Sequence, residues 1–165
     1  MRVCLDNHIL IWGIRATSAR GQESMVVRAK ALIEELDRND AEILVPAVVV
    51  AEFLAGAPKE QHTELLNVLH RRFQLPPFDV RAAAVAAGLW RDYAETNPTL
   101  REQIRAEFPG TQNAKIKADV QILATALARG AETLYTQDGP LTAVAKNLIQ
   151  VRELPPAPPI QPPLI

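Results

Sequence analysis

The segment Arg2-Val3-Cys4-Leu5-Asp6-Asn7 begins with a short apolar run and ends in the polar pair Asp6-Asn7. Three further short apolar runs are Glu42-Ile43-Leu44-Val45, Thr133-Leu134-Tyr135-Thr136 and Leu148-Ile149-Gln150-Val151. A weaker fifth run, Phe73-Gln74-Leu75, is followed by Pro76-Pro77. Unbroken apolar runs of this length are typical of strands that are buried on both faces, as in a parallel sheet.

Helical patterns separate these runs. Apolar residues recur at helical spacing in 22–38 and 59–71, and 79–95 and 114–129 are rich in alanine. Gly130 stands where a glycine would end the last of these helices. Strands that alternate with helices predict a doubly wound α/β fold, whose central parallel sheet would have about five strands.

Composition narrows the class of protein. The chain has 165 residues, of which 48% are hydrophobic and 22% are charged. These values exclude wholly disordered, collagen-like and disulfide-scaffold proteins. Cys4 is the single cysteine, so no internal disulfide can form, and a reducing cytoplasm is expected. No apolar run approaches the roughly 18 residues of a membrane span, and Asp6 comes too early for a signal peptide, so no membrane partner is expected.

The chain divides into a domain and a tail. We expect one domain over residues 1–153. Its stretch 96–113 contains two prolines and a glycine around a short helical segment and is interpreted as an insertion. Residues 154–165 hold 6 of the 13 prolines, which predicts an extended or disordered tail. That tail is either a docking arm for a partner or an extension that lies on the surface of its own domain.

Charge is uneven along the chain. The net charge of −1 argues against a strongly basic nucleic-acid coat protein. Residues 71–117 nevertheless hold 8 basic and 5 acidic side chains. An anionic polymer would be bound there first, although a solvated helical surface explains the same charges. Lys115 and Lys117 are the best candidates for RNA contacts, because they precede an acid, Asp119.

Four acids fall where chemistry is expected in such a fold, at or near the carboxyl ends of parallel strands. Asp6 directly follows the first strand, and Asp138 follows the third long run by two residues. Glu52 lies in an apolar helix that we expect to begin at Pro46, and Asp119 begins the apolar helical stretch 119–128. Asp6 and Asp138 could instead be turn or cap residues, and Asp119 could simply favour a helix N-terminus.

Convergence of the four carboxylates would create a cation site. Two like charges 4 Å apart repel by about 1 kcal/mol in water and about 4 kcal/mol at an effective dielectric of 20. A divalent cation relieves this repulsion, and oxygen ligands suit Mg²⁺ or Mn²⁺. Such a cation activates water and shields a phosphodiester during in-line displacement. Zinc and phosphate-loop chemistry are disfavoured, because the sequence has no His pair at ligand spacing and no glycine-rich phosphate loop.

Four blocks in order carry a family resemblance over residues 1 to about 152. The sequence resembles the PIN-domain family and is most similar to VapC-type toxins of prokaryotic toxin–antitoxin pairs. The blocks are Val3-Cys4-Leu5-Asp6-Asn7-His8-Ile9-Leu10-Ile11-Trp12, Val45-Pro46-Ala47-Val48-Val49-Val50-Ala51-Glu52-Phe53-Leu54-Ala55-Gly56, Lys117-Ala118-Asp119-Val120-Gln121-Ile122-Leu123-Ala124-Thr125-Ala126 and Leu134-Tyr135-Thr136-Gln137-Asp138.

The resemblance implies a three-layer fold and a metal-dependent endoribonuclease, which hydrolyses RNA phosphodiester bonds by metal-activated water. It also implies a cognate antitoxin, a homodimer and the toxin role in a type II pair. Asp6, Glu52, Asp119 and Asp138 would be the catalytic acids that hold Mg²⁺ or Mn²⁺.

Two further positions follow from the resemblance. Thr136 matches the hydroxyl residue before the last acid of the family and would orient a ligand or water. Asn7 stands where the family commonly has a small hydroxyl residue, and its amide can still hydrogen-bond a ligand. The alternative function is a catalytically inactive PIN-like binding module that acts through protein or RNA interactions.

Overall fold

Parallel strands form the central sheet of the computed structural model, which describes residues 1–157. Four strands lie in the described chain, in the order β2-β1-β3-β4, and every pair is parallel. They are β1 (Arg2–Leu5), β2 (Glu42–Leu44), β3 (Thr133–Tyr135) and β4 (Gln150–Arg152). The parallel sheet predicted from the apolar runs is therefore confirmed.

The fifth predicted run does not become a full strand. Gln74 makes a single parallel bridge to Leu44 at the β2 edge, and its amide donates to the carbonyl of Ile43 at 2.9 Å. Pro76 and Pro77 follow within three residues, and proline has no N–H to extend a ladder. The sheet thus has four strands and one bridge where about five strands were expected.

Eight α-helices surround the sheet in the described chain, in a three-layer arrangement. They are α1 (Asn7–Gly13), α2 (Glu23–Arg38), α3 (Ala47–Ala55), α4 (His62–Arg72), α5 (Val80–Glu95), α6 (Leu100–Glu107), α7 (Asn113–Ala128) and α8 (Gly139–Ala145). The helix predicted to begin at Pro46 begins one residue later, because Pro46 is extended, with ψ at 145°. Gly130 follows α7 with φ at +71°, as expected of a glycine that ends a helix.

The core lies around β1 and α7. Val3, Cys4 and Leu5 of β1 are fully buried, as expected for a central strand. Helix α7 is buried along most of its length and packs against α5, α8 and α3. A helix enclosed in this way positions its polar side chains firmly, because apolar neighbours leave them few alternative rotamers.

The strand order creates one switch point. The chain passes from β1 to β2 on one side, and later to β3 on the other side of β1. In open α/β sheets, a ligand crevice forms at the carboxyl ends of the strands where the strand order reverses. Here that place is the gap between the ends of β1 and β3, where the backbone amide of Asp6 donates to the carbonyl of Tyr135 at 3.1 Å.

Two segments outside the sheet also pack on the domain. The stretch 96–113 contains α6, whose N-terminus has a capping box between Thr99 and Glu102. Leu154 is buried, and the Arg28 guanidinium donates to the carbonyl of Pro155 at 2.7 Å. The rest of the predicted proline-rich tail, from residue 158, lies outside the described residues. No helix within residues 1–157 is long and apolar enough to cross a membrane.

Candidate active site

Asp6 is both a helix cap and a member of the acidic cluster. Its Oδ1 accepts a hydrogen bond from the Asn7 amide at 2.7 Å and makes Asp6 the N-cap of α1. Its Oδ2 accepts from the Thr136 hydroxyl at 2.8 Å. Burial works to raise the pKa of Asp6, but His8, Thr136 and the Asn7 amide stabilise the carboxylate and the net pKa is lowered. Asp6 is therefore held in the ionised form.

Thr136 connects the first and last acids. Its fully buried hydroxyl donates to Asp6 and accepts from the backbone amide of Asp138 at 2.9 Å. Asp138 is the N-cap of α8, because its Oδ1 accepts from the Leu141 amide at 2.8 Å. The cap interpretation of these two acids is confirmed, and it is compatible with a site role, because each carboxylate uses one oxygen for the helix and both residues line the same cleft.

Glu52 projects into the same cleft from α3. It is half-buried, and it lies on the helix that leaves the carboxyl end of β2. Burial raises the pKa of Glu52, Lys115 lowers it, and the charges of Asp6 and Asp138 raise it further, so the net direction is upward. Glu52, Asp6 and Asp138 line the same cleft, so their carboxylates share one electrostatic environment.

Asp119 lies inside a helix, where the sequence had predicted a helix start. It is the seventh residue of α7, because the helix begins at Asn113 and so includes Lys115 one turn earlier. The Asp119 side chain is 0% exposed. Its Oδ1 accepts a hydrogen bond from the Lys115 ammonium, whereas its buried Oδ2 has no partner. Burial raises the pKa of Asp119 to about 7, and Lys115 only partly opposes this.

Lys115 joins two of the acids. Besides the contact with Asp119, its Nζ lies 3.3 Å from Oδ2 of Asp138. Lys117, the other predicted RNA contact, is exposed. At 3.6 residues per turn it lies roughly 160° from Lys115 around the α7 axis, so it does not face the cleft. Its contact with RNA stays a prediction.

The cleft has a volume of about 210 Å³. It is lined by Asp6, Asn7, His8, Glu52, Lys115 and Asp138. Asp119 lies behind Lys115 and does not line it. The fold thus places three of the predicted acids, Asp6, Glu52 and Asp138, along one cleft, and Lys115 links the fourth, Asp119, to Asp138.

A metal ion fits this donor set in its chemistry but not in its present spacing. The unpartnered buried Oδ2 of Asp119 and the surrounding carboxylates are the oxygen ligands that Mg²⁺ and Mn²⁺ prefer. Within residues 1–157, however, no three His, Cys, Asp or Glu side chains come close enough together to hold one ion. The Lys115 ammonium lies between two of the carboxylates, so the side chains must rearrange for a shared cation to enter.

His8 and Gln137 were not among the predicted site residues. His8 lines the cleft, and its Nδ1 lies 3.7 Å from Oδ2 of Asp6, which raises the pKa of His8. The side-chain amide nitrogen of Gln137 is buried without a partner, as is Oδ1 of Asn7. The available signal was their position within three residues of the carboxyl ends of β1 and β3, because ligand crevices form at that end of a parallel sheet.

A comparison of the sequence with known protein families finds a match over most of the chain. The model of the PIN domain family matches residues 3–147. The chain belongs to the PIN-domain family. No curated protein matches this PIN-domain chain in sequence.

Solved structures share the fold of this PIN-domain protein at low identity. VapBC2 from Rickettsia felis, bound to a DNA fragment from its promoter, matches with a TM-score of 0.59 and 19% identity, over 93% of this chain and 98% of the other. VapBC-1 from nontypeable Haemophilus influenzae matches with a TM-score of 0.58 and 16% identity over the same shares. DNA-bound VapBC from Salmonella typhimurium matches with a TM-score of 0.57 and 15% identity, again over 93% and 98%.

Proposed function

We propose that this PIN-domain protein is a metal-dependent endoribonuclease that hydrolyses RNA phosphodiester bonds. The observation that carries the proposal is a cleft at the switch point of the sheet that is lined by Asp6, Glu52 and Asp138, with Asp119 linked to Asp138 through the Lys115 ammonium. Buried acids with few cationic partners are costly to a fold, and a site for a divalent cation explains why these acids lie near one another.

The four acids would hold Mg²⁺ or Mn²⁺. When bound, the cation supplies charge neutralisation at the scissile phosphate and lowers the pKa of a water molecule. The chain's own part is positional. The Thr136 hydroxyl fixes one oxygen of Asp6, and the Asp138 cap fixes the start of α8, so two ligands are oriented before any cation arrives.

Polar side chains at the rim suit a phosphate backbone. Asn7 lines the cleft, and its buried side-chain carbonyl oxygen has no partner, so it can accept a hydrogen bond from a ligand group or water that enters the cleft. His8 is half-exposed, and its raised pKa favours the cationic form beside an anionic ligand. Lys115 can contact RNA once it leaves the acids. These groups give the cleft both an acidic floor and a basic rim.

We propose the type II toxin role for the same chain, with a cognate antitoxin as its protein partner. The solved structures with the same fold are VapBC assemblies, and two of them are bound to DNA. The proposal includes a homodimer in the cytoplasm. We also propose that residues 1–153 form the nuclease domain, with 96–113 as an insertion and 154–165 as a tail.

The direct test is cleavage of a mixture of structured and unstructured RNAs by purified protein, with Mn²⁺ or with EDTA. The wild type should cut at least one RNA only with Mn²⁺, and Asp6→Asn should abolish that cleavage. Asp92→Asn, an exposed acid on α5, is the matched control and should cut normally. Expression of the wild type without its antitoxin should also stop growth, and Asp6→Asn should restore it.

Two outcomes would overturn parts of the proposal. Cleavage that is unchanged in Asp6→Asn would remove the acids from the mechanism. A folded protein that cuts no RNA with Mn²⁺ would favour the alternative, a catalytically inactive PIN-like module that binds protein or RNA.

A further inference from the structure

The Lys115 ammonium occupies the region where a cation is needed. It donates to Oδ1 of Asp119 and lies 3.3 Å from Oδ2 of Asp138, so one positive charge serves two carboxylates. The spacing of four residues places Lys115 and Asp119 on the same face of α7. Asp138 reaches the pair from a different element, at the start of α8.

The ammonium is held there by charge. Burial disfavours the charged form of Lys115, but Asp119, Asp138 and Asp6 outweigh burial, so the net pKa of Lys115 is raised. The side chain is 37% exposed, whereas that of Asp119 is 0% exposed. Lys115 therefore enters the cluster from the solvent side and has a route out of it, while the acid behind it has none.

A divalent cation and this ammonium cannot share the position. Magnesium binds oxygen ligands at about 2.1 Å, which is shorter than any hydrogen bond from an ammonium to the same oxygens. An ion between Asp119 and Asp138 would therefore lie within a few ångströms of Nζ. A +2 and a +1 charge at such a distance repel strongly at the effective dielectric of a partly buried site.

We propose that Lys115 is an internal competitor of the metal: its ammonium neutralises Asp119 and Asp138 in the metal-free protein, and it must swing out before a divalent cation binds. This inference rests on the proposed metal-dependent function and adds a residue that sets the metal affinity. The cost of moving Lys115 lowers the affinity for the ion. Once displaced, the ammonium stands at the mouth of the cleft, where a phosphate group can accept its hydrogen bonds.

The test is calorimetric titration of the metal-free full chain with Mn²⁺ alone, without RNA. Lys115→Met keeps an unbranched apolar stem of similar length and removes the charge. We expect it to bind Mn²⁺ about tenfold more tightly, or better, than the wild type. Lys30→Met removes one charge from an exposed position on α2 and should leave Mn²⁺ affinity unchanged. Asp119→Asn should abolish or severely weaken binding.

A second measurement, of melting temperatures, tests whether Lys115 stabilises the metal-free protein. In EDTA, Lys115→Met should melt at a lower temperature than the wild type, because two acids lose their counter-charge. Saturating Mn²⁺ should then raise its melting temperature by more than it raises that of the wild type. Lys115→Gln provides a second uncharged variant if the methionine side chain disturbs folding.

The outcomes separate this inference from the proposed function. Equal or weaker Mn²⁺ binding by both Lys115 variants, with binding lost in Asp119→Asn, overturns the competition and leaves the metal-dependent function standing. Tighter binding by Lys30→Met to the same degree also overturns it, because the effect would then be one of net charge. Absence of Mn²⁺ binding in every variant overturns both. Binding that is detectable only in the Lys115 variants supports the competition.

Discussion

Asp119→Asn should be more favourable for the stability of the metal-free protein at pH 8 than at pH 5, when each variant is compared with the wild type at the same pH. This holds although the substitution removes a partner of Lys115. Burial raises the pKa of Asp119 from 3.8 to about 7. A carboxyl whose pKa is higher in the folded state binds its proton more tightly there than in the unfolded chain. Its contribution to stability is therefore fully present below about pH 4 and is lost as the pH rises through about 7.

The size of the effect follows from the shift. Each pKa unit corresponds to about 1.4 kcal/mol, so the full loss is about 4 kcal/mol. Roughly 2–3 kcal/mol of this loss falls between pH 5 and pH 8, because the unfolded carboxyl is already ionised at pH 5 while the folded one ionises near pH 7. Asparagine does not titrate, so Asp119→Asn should lack this loss. Any constant penalty for the Lys115 contact cancels when the two pH values are compared.

The assay is urea unfolding followed by far-ultraviolet circular dichroism, in EDTA, at pH 5 and pH 8. The free energy of unfolding of Asp119→Asn minus that of the wild type should increase by about 2–3 kcal/mol from pH 5 to pH 8. Asp92→Asn changes an exposed acid and should show no such increase. The reasoning would be refuted if the difference for Asp119→Asn stayed constant with pH, or if it decreased.

Three other substitutions test the supports of the cleft by the same urea assay. Thr136→Val should lower the free energy of unfolding by about 1–3 kcal/mol, because Asp6 loses a buried donor, and Thr136→Ser should preserve it. Gly139→Ala should cost about 1–3 kcal/mol, since its new Cβ would lie 2.3 Å from the Phe108 ring, and adding Phe108→Leu should recover most of the loss. Asp79→Ala removes the N-cap of α5 and should lower the free energy of unfolding by about 1 kcal/mol. A substitution of an exposed residue that caps no helix should cause no such loss. A neutral result for any of these would mean that the corresponding contact is not maintained in solution.

Local pattern was sufficient for most elements of the fold. The apolar run at residues 2–5 is β1, and Asp79 caps α5 by accepting a hydrogen bond from the Ala82 amide three residues later. These features depend on neighbours within a few residues, so the sequence shows them directly. The last strand was expected at 148–151 and lies at Gln150–Arg152. Its bounds depend on pairing with β3, which is a contact between distant segments.

The four acids also show which features depend on neighbouring residues and which depend on tertiary contacts. The sequence singled out four acids as candidates, because each follows a strand or lies in an apolar helical stretch, and their role in a site stays a prediction. The helical pattern over 114–129 agrees with α7 to within one residue, so the spacing of Lys115 and Asp119 on one helix was visible. Asp119 was nevertheless placed at the start of the apolar stretch 119–128, and its contact with the Lys115 ammonium, which depends on the folded side chains, was missed.

The amino-acid sequence by itself determined the parallel α/β fold and the family and singled out the four candidate acids, because strand and helix patterns and short motifs are local. Tertiary structure alone decided that Lys115 stands between Asp119 and Asp138 and that Thr136 links Asp6 to Asp138. These contacts join residues that are up to 130 positions apart. They exist only because the strand order reverses between β1 and β3, which brings the ends of separate strands to one place.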